Sequence, residues 1–408
     1  MKCRHCKSEL IHTFIDLGSS PPSNAYLTDA TMRESEKWYP LKVLVCHRCW
    51  LVQTEDFVGS GEMFSDDYAY FSSYSSSWLL HAKAYVEKVV KRFHLDSNSK
   101  VVEIAANDGY LLQYVTEKNI PCYGVEPTSS TGDAARKKGI EIIGEFFGEQ
   151  LATRLKKQGG QVDLIVANNV LAHVPDINDF VKGFATLLKS DGVATFEFPY
   201  LLNLVEYSQF DTIYHEHYSY LSLTSVQAVF KANGLAVFDV EELPSHGGSI
   251  RIYAQRDDTM HQAINAEVEI MRLREEGVGI RTLEYYQGFQ QKAEKVKMDL
   301  LEFLIQANKA GKKVVAYGAA AKGNTMMNFA GIRSDLIGYV IDKNPNKQGG
   351  FMPGSRIPIV SEDVLKLDKP EYVILLPWNL EKELMVQLQY IRQWCGQFVI
   401  AIPNLKLL

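Results

Sequence analysis

Four cysteines in two pairs, Cys3-x-x-Cys6 and Cys46-x-x-Cys49, constrain the first part of this chain more than any other feature. Two thiolates that flank a tight turn can reach one ion together, and two such knuckles complete a tetrahedron. Four sulfurs leave no open coordination position, so the pattern predicts a structural zinc rather than a catalytic one. The stretch between the knuckles is longer than in a compact finger. The knuckles should therefore close a small zinc-binding domain, expected over residues 1–75, whose folding depends on the metal. His5 and His47 lie inside the knuckles and read as bystanders. Disulfides are the weaker alternative. Met1-Lys2-Cys3-Arg4-His5-Cys6 has no apolar core of a secretory signal, and no segment approaches the apolar run that spans a bilayer, so a cytoplasmic protein in a reducing compartment is expected.

At 408 residues the chain needs more than one core. Strands alternate with helices along most of it, which predicts α/β domains with mostly parallel sheets. Over residues 76–256 the strands read as Val101–Ala105, Cys122–Val125, Asp163–Ala167 and Val193–Glu197. Leu235–Val240 and Ser249–Tyr253 lie close enough in sequence to pair as an antiparallel edge. Residues 257–408 begin with a charge-rich helical stretch, from about Met260 to Ala310. A second, smaller α/β unit follows, with strands at Lys313–Tyr317, Leu336–Ile341, Tyr372–Leu376 and Phe398–Ile402. Net charge is -6, and a general nucleic-acid binder would show a basic excess instead.

The turn after the first strand of the middle segment, Ala106-Asn107-Asp108-Gly109, and the carboxylate ending the second strand, Glu126, have the general form of a nucleoside site. Glu126 suits the two ribose hydroxyls, and Gly109 allows close backbone approach to a ligand. Such a site serves NAD or S-adenosylmethionine. The fingerprint G-x-G-x-x-G that would cradle a diphosphate is absent, which favours S-adenosylmethionine. The C-terminal turn Gly318 to Asn324 also opens a helix. Its N–H groups and Lys322 suit a phosphate, and Asp342 ends the next strand where a ribose-reading carboxylate would lie. Three readings compete there: the diphosphate of a nucleotide substrate, which is favoured, no ligand, or NAD.

Tyr214-His215-Glu216-His217-Tyr218 concentrates proton-handling groups in what reads as a loop after Pro199-Tyr200. The bland alternative is a half-buried strand with locally satisfied side chains. A metal site through His215 and His217 is a further alternative, but the cysteines meet the demand for zinc better.

Taken together, these motifs resemble a known family. Glu103-Ile104-Ala105-Ala106-Asn107-Asp108-Gly109 resembles the E-x-G-x-N-D-G turn of class I S-adenosylmethionine-dependent methyltransferases. The whole chain resembles the sugar C-methyltransferases that act on nucleotide-linked 4-keto deoxysugars. The likeness includes both knuckles, Pro-Pro-Ser-Asn-Ala-Tyr-Leu at 21–27, Tyr-x-Tyr-Phe-Ser-Ser at 68–73, the 214–218 loop, His246-Gly247-Gly248-Ser249 and Tyr317-Gly318-Ala319-Ala320-Ala321-Lys322-Gly323. One departure is Ala105, where the family's turn has its first glycine and where a methyl would crowd the methionine part of the cofactor.

The resemblance implies a small zinc-binding domain, a central class I methyltransferase domain and a C-terminal Rossmann-like domain that binds substrate. It implies methyl transfer to C3, next to the 4-keto group of a dTDP-linked 6-deoxysugar. Catalytic roles are expected for His217 as base and for Tyr214, Glu216, His173 and Tyr68 around it. Cofactor contacts are expected from Glu103, Ala105, Asn107, Asp108, Gly109, Glu126, Asn168 and Asn169. Tyr74, Gly318, Lys322 and Asn324 are expected to meet the nucleotide sugar. His215, alternating with His217, is expected to point into packing. The rivals are O-methylation of a small metabolite and a non-catalytic zinc-knuckle adaptor that binds another macromolecule.

Overall fold

Short runs of fully buried, β-branched residues set the middle sheet. The computed structural model describes residues 1–55, 57 and 71–408. In β4 (Val101–Ile104) every residue is buried, and β5 (Cys122–Val125), β6 (Ile142–Ile143), β7 (Val162–Asn168) and β8 (Leu188–Pro199) line up parallel around it. β10 (Leu235–Leu243) and β11 (Ser249–Arg256) add the antiparallel edge expected from their spacing. The order across the sheet is β10-β11-β8-β7-β4-β5-β6. Parallel strands buried on both faces need helices on both sides, and ligands bind beyond their carboxyl ends. Those ends carry the Ala105–Gly109 turn, Glu126, and Asn168-Asn169. Asp176 caps the helix Ile177–Leu187 by accepting from the N–H groups of Asn178 and Asp179.

The zinc domain carries β1 (His12–Ser20), β2 (Tyr39–Val45) and β3 (Val52–Thr54), all antiparallel. Its fourth strand comes from far along the chain. β9 (Ser219–Tyr220), directly after the 214–218 loop, pairs with β3 through Gln53 opposite Ser219 and Val52 opposite Tyr220. The loop is thus sewn onto the zinc domain's sheet.

Across the C-terminal sheet the strands follow the order Ile359–Val360, Val340–Ile341, Val314–Tyr317, Tyr372–Leu375, Gln397–Ile400 and Lys406–Leu407. It comprises β12 (Val314–Tyr317), β13 (Val340–Ile341), β14 (Ile359–Val360), β15 (Tyr372–Leu375) and β16 (Gln397–Ile400) in parallel, with β17 (Lys406–Leu407) reversed at the edge. The architecture is the one the sequence leads one to expect, and two features tie its parts together. The helix Phe289–Lys309 packs on the zinc domain, where Phe289 stacks on Phe14 at 4.6 Å. The helix Ala266–Gly277 lies beyond residue 257 in sequence, yet its buried Glu275 accepts from the N–H groups of Leu223 and Thr224 at 2.7 Å each, at the start of the middle-domain helix Leu223–Ala232. Among the described residues no helix is long and apolar enough to cross a membrane.

Candidate active site

The four cysteine sulfurs lie within 4.8 Å of one another, with Cys3–Cys49 and Cys6–Cys46 at 3.5 Å. Sulfurs about 2.3 Å from one ion sit at such separations, so the set fits tetrahedral zinc. Both knuckles have one backbone form. Lys7 N–H donates to the Cys3 carbonyl and Trp50 N–H to the Cys46 carbonyl, with Lys7 at φ +62° and Trp50 at φ +60°. Gln53 Nε2 donates to Cys3 Sγ at 3.3 Å, and Ser8 Oγ lies 2.9 Å from Cys6 Sγ. His5 Nδ1 is turned toward Asn178 Oδ1 at 2.8 Å, and His47 meets the His12 ring edge-on, so neither is directed at the sulfurs.

At the carboxyl end of β4 the backbone takes left-handed angles three times: Ala105 at φ +58°, Asn107 at +49° and Gly109 at +75°. Glu126 pins this turn from β5, accepting from Asn107 N–H and Thr128 N–H at 2.9 Å each. Burial raises the Glu126 pKa, and those N–H groups work against the rise. Glu103 is fully buried in β4, and burial pushes its carboxyl well above the usual range. The short helix Ser72–Tyr74 docks on the turn, with Ser72 N–H donating to Asn107 Oδ1 and Ser73 N–H to Asp108 Oδ2. Asp108 Oδ1 and Asn168 Oδ1 are buried and meet no hydrogen-bond donor among the described residues. Unpartnered acceptors are costly in a native fold, and they suit the ammonium group of S-adenosylmethionine. The turn therefore fits that cofactor.

Two positions of this turn are conformationally constrained. The space beside the Gly109 Cα is filled: a Cβ there would meet Ile140 Cδ1 at 2.4 Å. Packing and the positive φ both call for a glycine at this position. At Ala105 a Cβ-bearing residue is held at φ +58°, a left-handed angle that glycine would adopt with less strain.

The 214–218 segment is a loop in which Tyr214 is half-buried and His215, Glu216, His217 and Tyr218 are buried. His217 Nδ1 donates to the Thr212 carbonyl at 2.7 Å, which leaves Nε2 unprotonated to accept from the Tyr214 hydroxyl at 2.8 Å. His173, in the short helix Leu171–His173, meets His217 edge-on with ring centroids 4.6 Å apart and places Nδ1 2.8 Å from the Glu216 carbonyl. Burial holds His217 well below the usual imidazole range, and the nearby His173, Lys322 and His246 add to the shift. His173 and His246 are each lowered to about 4, chiefly by burial. Glu216 accepts from Asn24 Nδ2 at 3.1 Å, and burial raises its pKa. His215 turns away as expected, with Nε2 3.2 Å from the Pro40 carbonyl and the ring edge-on to Tyr39.

The C-terminal domain contributes Lys322 to this cluster. Its Nζ donates to the His246 carbonyl at 3.3 Å and to Asn379 Oδ1 at 3.1 Å, and lies 4.5 Å over the Trp378 ring. Burial lowers the amine's pKa, and Asp211 opposes the shift. Asp211, pushed up to about 6 by burial, accepts from Trp378 Nε1 at 2.7 Å. His246 has φ +55° and takes Asn169 Nδ2 at 3.0 Å on its Nε2. Gly247 leaves no room for a side chain, since a Cβ would sit 2.3 Å from Trp378. The structure therefore brings Lys322, His246, His217 and His173 together between the two α/β domains. Asp211, Trp378 and Asn379 were not singled out from the sequence. Only Asp211, three residues before Tyr214, lay close to a motif that could have pointed to it.

Other expected residues are placed elsewhere. Asn324 is fully buried, donating to the Ser23 carbonyl at 3.2 Å and accepting from Asn328 Nδ2. At Gly318 a Cβ would strike Pro377 at 2.4 Å, so packing requires the glycine. The nearby turn N–H of Ala319 already serves Asp342 Oδ2 at 2.8 Å. Tyr74 is 64% exposed and packs on Phe71 beside the cofactor turn. Tyr68 lies outside the described residues.

Comparison with known proteins gives a consistent family. A zinc binding domain profile matches residues 3–64, a methyltransferase domain profile 78–240, and a C-methyltransferase C-terminal domain profile 244–403. The C-methyltransferase NovU of Streptomyces niveus is 32% identical over 403 residues, covering 99% of this chain and 96% of that protein. Among solved structures, magnesium protoporphyrin IX methyltransferase from Synechocystis PCC 6803, with bound S-adenosylmethionine, covers 44% of this chain and 79% of its own at 15% identity and a TM-score of 0.34. The PH0226 protein of Pyrococcus horikoshii covers 46% and 95% at 14% identity and a TM-score of 0.38. The relative that spans almost the whole chain, with the three domain profiles, shows that the chain belongs to the zinc-binding, S-adenosylmethionine-dependent C-methyltransferases, enzymes that methylate carbon.

Proposed function

We propose that the enzyme methylates C3 of a nucleotide-linked 6-deoxysugar, next to its 4-keto group, with thymidine diphosphate as the carrier and branched deoxysugar synthesis as the setting. The observation that carries this reading is the state of His217: a buried neutral imidazole with Nδ1–H fixed on the Thr212 carbonyl and Nε2 unprotonated. A C–H beside a ketone is only weakly acidic, so it needs a positioned base and a stabilised enolate oxygen. His217 Nε2 takes the C3 proton, and the C–H electron pair moves into the C3–C4 bond while charge builds on the C4 oxygen. The Tyr214 hydroxyl, bonded to Nε2 in the resting site, turns to that oxygen or to a sugar hydroxyl. His173 and Glu216 hold the base in place, and Tyr68 is a further candidate donor to the sugar.

When bound, S-adenosylmethionine supplies the sulfonium methyl that the C3 carbon takes up. Glu126 would hold its ribose, the Ala105–Asp108 turn its methionine part, and Asp108, Asn168, Asn169 and Glu103 the polar groups around it. Lys322 is assigned to the substrate diphosphate, with Tyr74 at the rim. Lys322, His246, His173 and His217 bring basic groups together in a buried place with Asp211 facing Lys322. Lys322 is the ammonium of this cluster, and the diphosphate is assigned to it for that reason.

The test is the product. The enzyme, methyl-labelled S-adenosylmethionine and dTDP-linked 4-keto-6-deoxysugars should give a mass gain of one methyl, placed on C3 by NMR. A methyl on oxygen overturns the reading. A methyl on C5 leaves the enolate chemistry standing and overturns the position. Absence of binding by both ligands in calorimetry favours the adaptor.

A further inference from the structure

Arg4 follows the first zinc ligand and is 6% exposed, a cost that a guanidinium bears only when its donors are used. Its Nη1 donates to the Pro175 carbonyl at 2.9 Å, and its Nη2 donates to the Thr54 carbonyl at 2.9 Å. Its Cζ lies 5.1 Å from the centre of the Tyr218 ring. Pro175 comes two residues after His173, and Tyr218 comes one residue after His217. Thr54 closes the bracket, its Oγ1 donating to the His217 carbonyl at 3.1 Å and its N–H to the Tyr218 carbonyl at 3.2 Å. A single guanidinium therefore touches both chain segments that carry the paired imidazoles. It is anchored from the metal side as well. Arg4 N–H donates to Gln53 Oε1 at 2.9 Å, and Gln53 Nε2 donates to Cys3 Sγ at 3.3 Å.

We propose that Arg4 is a positioning residue that sets the separation of His173 and His217, so that the zinc knuckle acts on the reaction through it. The inference rests on the reading of His217 as the base. The planar fork of arginine reaches two carbonyls from two separate nitrogens and lays a flat face near an aromatic ring, whereas a lysine ammonium must bring all its donors from one atom and cannot span the same positions. Displacing a reacting group by about 1 Å can cost on the order of 100-fold in rate. The knuckle fixes the Arg4 main chain, and the side chain passes that fixed point to both imidazoles.

The test uses full-length Arg4→Gln, Arg4→Lys and Thr54→Val, each checked for bound zinc. The readouts are kcat, KM for both substrates, and deuterium uptake at C3 in D2O without methyl transfer. Arg4→Gln should keep its zinc and hold both KM values within about twofold, while kcat and deuterium uptake fall together by roughly 10- to 100-fold. Arg4→Lys should recover little of that loss, which separates a fork from a mere charge. Thr54→Val should lose roughly 3- to 10-fold in kcat by the same criterion, and it decides the matter if neither Arg4 variant folds. Zinc-loaded Arg4→Gln or Arg4→Lys with wild-type kcat overturns the proposal, as does wild-type kcat in Thr54→Val. His217→Gln is the control: if it turns over normally, the base assignment fails. If it is inactive while the Arg4 variants are normal, only the Arg4 proposal fails.

Discussion

The two α/β domains share one device and put it to different uses. In each, the carboxylate ending the second strand of a strand-turn-helix unit binds the turn after the first strand. Glu126 accepts from Asn107 N–H and Thr128 N–H at 2.9 Å, and Asp342 accepts from Ala319 N–H and Asn344 N–H at 2.8 Å. Around the Glu126 turn, Asp108 and Asn168 each keep a buried acceptor without a donor among the described residues. Around the Asp342 turn the space is filled from within the protein. The Tyr26 hydroxyl and Lys347 Nζ both donate to the Ala319 carbonyl, at 2.7 and 2.8 Å, and Pro377 packs on Gly318. The same local geometry makes a ligand site where polar groups remain unmatched and a joint where they are matched. The Pro21–Leu27 segment forms part of that joint, and its Asn24 also holds Glu216.

The contrast breaks most sharply at the carboxylates. Glu126→Ala should weaken S-adenosylmethionine binding by roughly 100-fold or more in calorimetry, since it removes the support of the turn together with the acceptor proposed for the ribose. Asp342→Asn should leave that affinity within about twofold and cost about 1–2 kcal/mol of stability, read from denaturant melts. Equal losses of affinity in both variants would erase the distinction. Lys322→Met should raise KM for the nucleotide sugar by roughly 10- to 100-fold with cofactor affinity unchanged. An unchanged KM would return the diphosphate to some other group.

The buried histidines predict a pH response. His173 and His246 have folded pKa values of about 4, below the ordinary value of 6.5, so the unfolded chain binds protons first on acidification. Their contribution to stability is present above pH 6.5 and is lost as the pH falls toward 4. Melting temperature should drop across that window, and His246→Gln should flatten the drop. A melting temperature constant from pH 6.5 to 4 would contradict the burial argument. The smallest effect is expected at Ala105, where glycine should relieve the left-handed backbone and stabilise the fold by up to about 1 kcal/mol. Destabilisation by Ala105→Gly would mean that the methyl contributes packing worth more than the strain.

Much of this could be read from the sequence because it depends on short spacings. The two Cys-x-x-Cys pairs, the Asn107-Asp108-Gly109 turn, Glu126, and the packing role of His215 all follow from neighbours along the chain. Contacts made across domains left no such trace. β9 is two residues long and pairs with a strand more than 160 residues earlier, so no periodicity marks it. Asn324 and Gly318 carry the residue types of an anion-binding turn, and their packing against Ser23 and Pro377 comes from distant parts of the chain that no local spacing marks. Arg4 looked like an ordinary knuckle residue, because its partners Thr54, Pro175 and Tyr218 come from three separate parts of the chain.

The central claim is that His217 removes the sugar proton. Its most direct test is deuterium uptake at C3 of the 4-keto nucleotide sugar in D2O, with S-adenosylhomocysteine filling the cofactor site so that no methyl moves. Wild-type enzyme should wash deuterium into C3. His217→Gln should lose roughly 100- to 10,000-fold of that rate while binding S-adenosylmethionine as tightly as before. Wild-type uptake by His217→Gln would contradict the account.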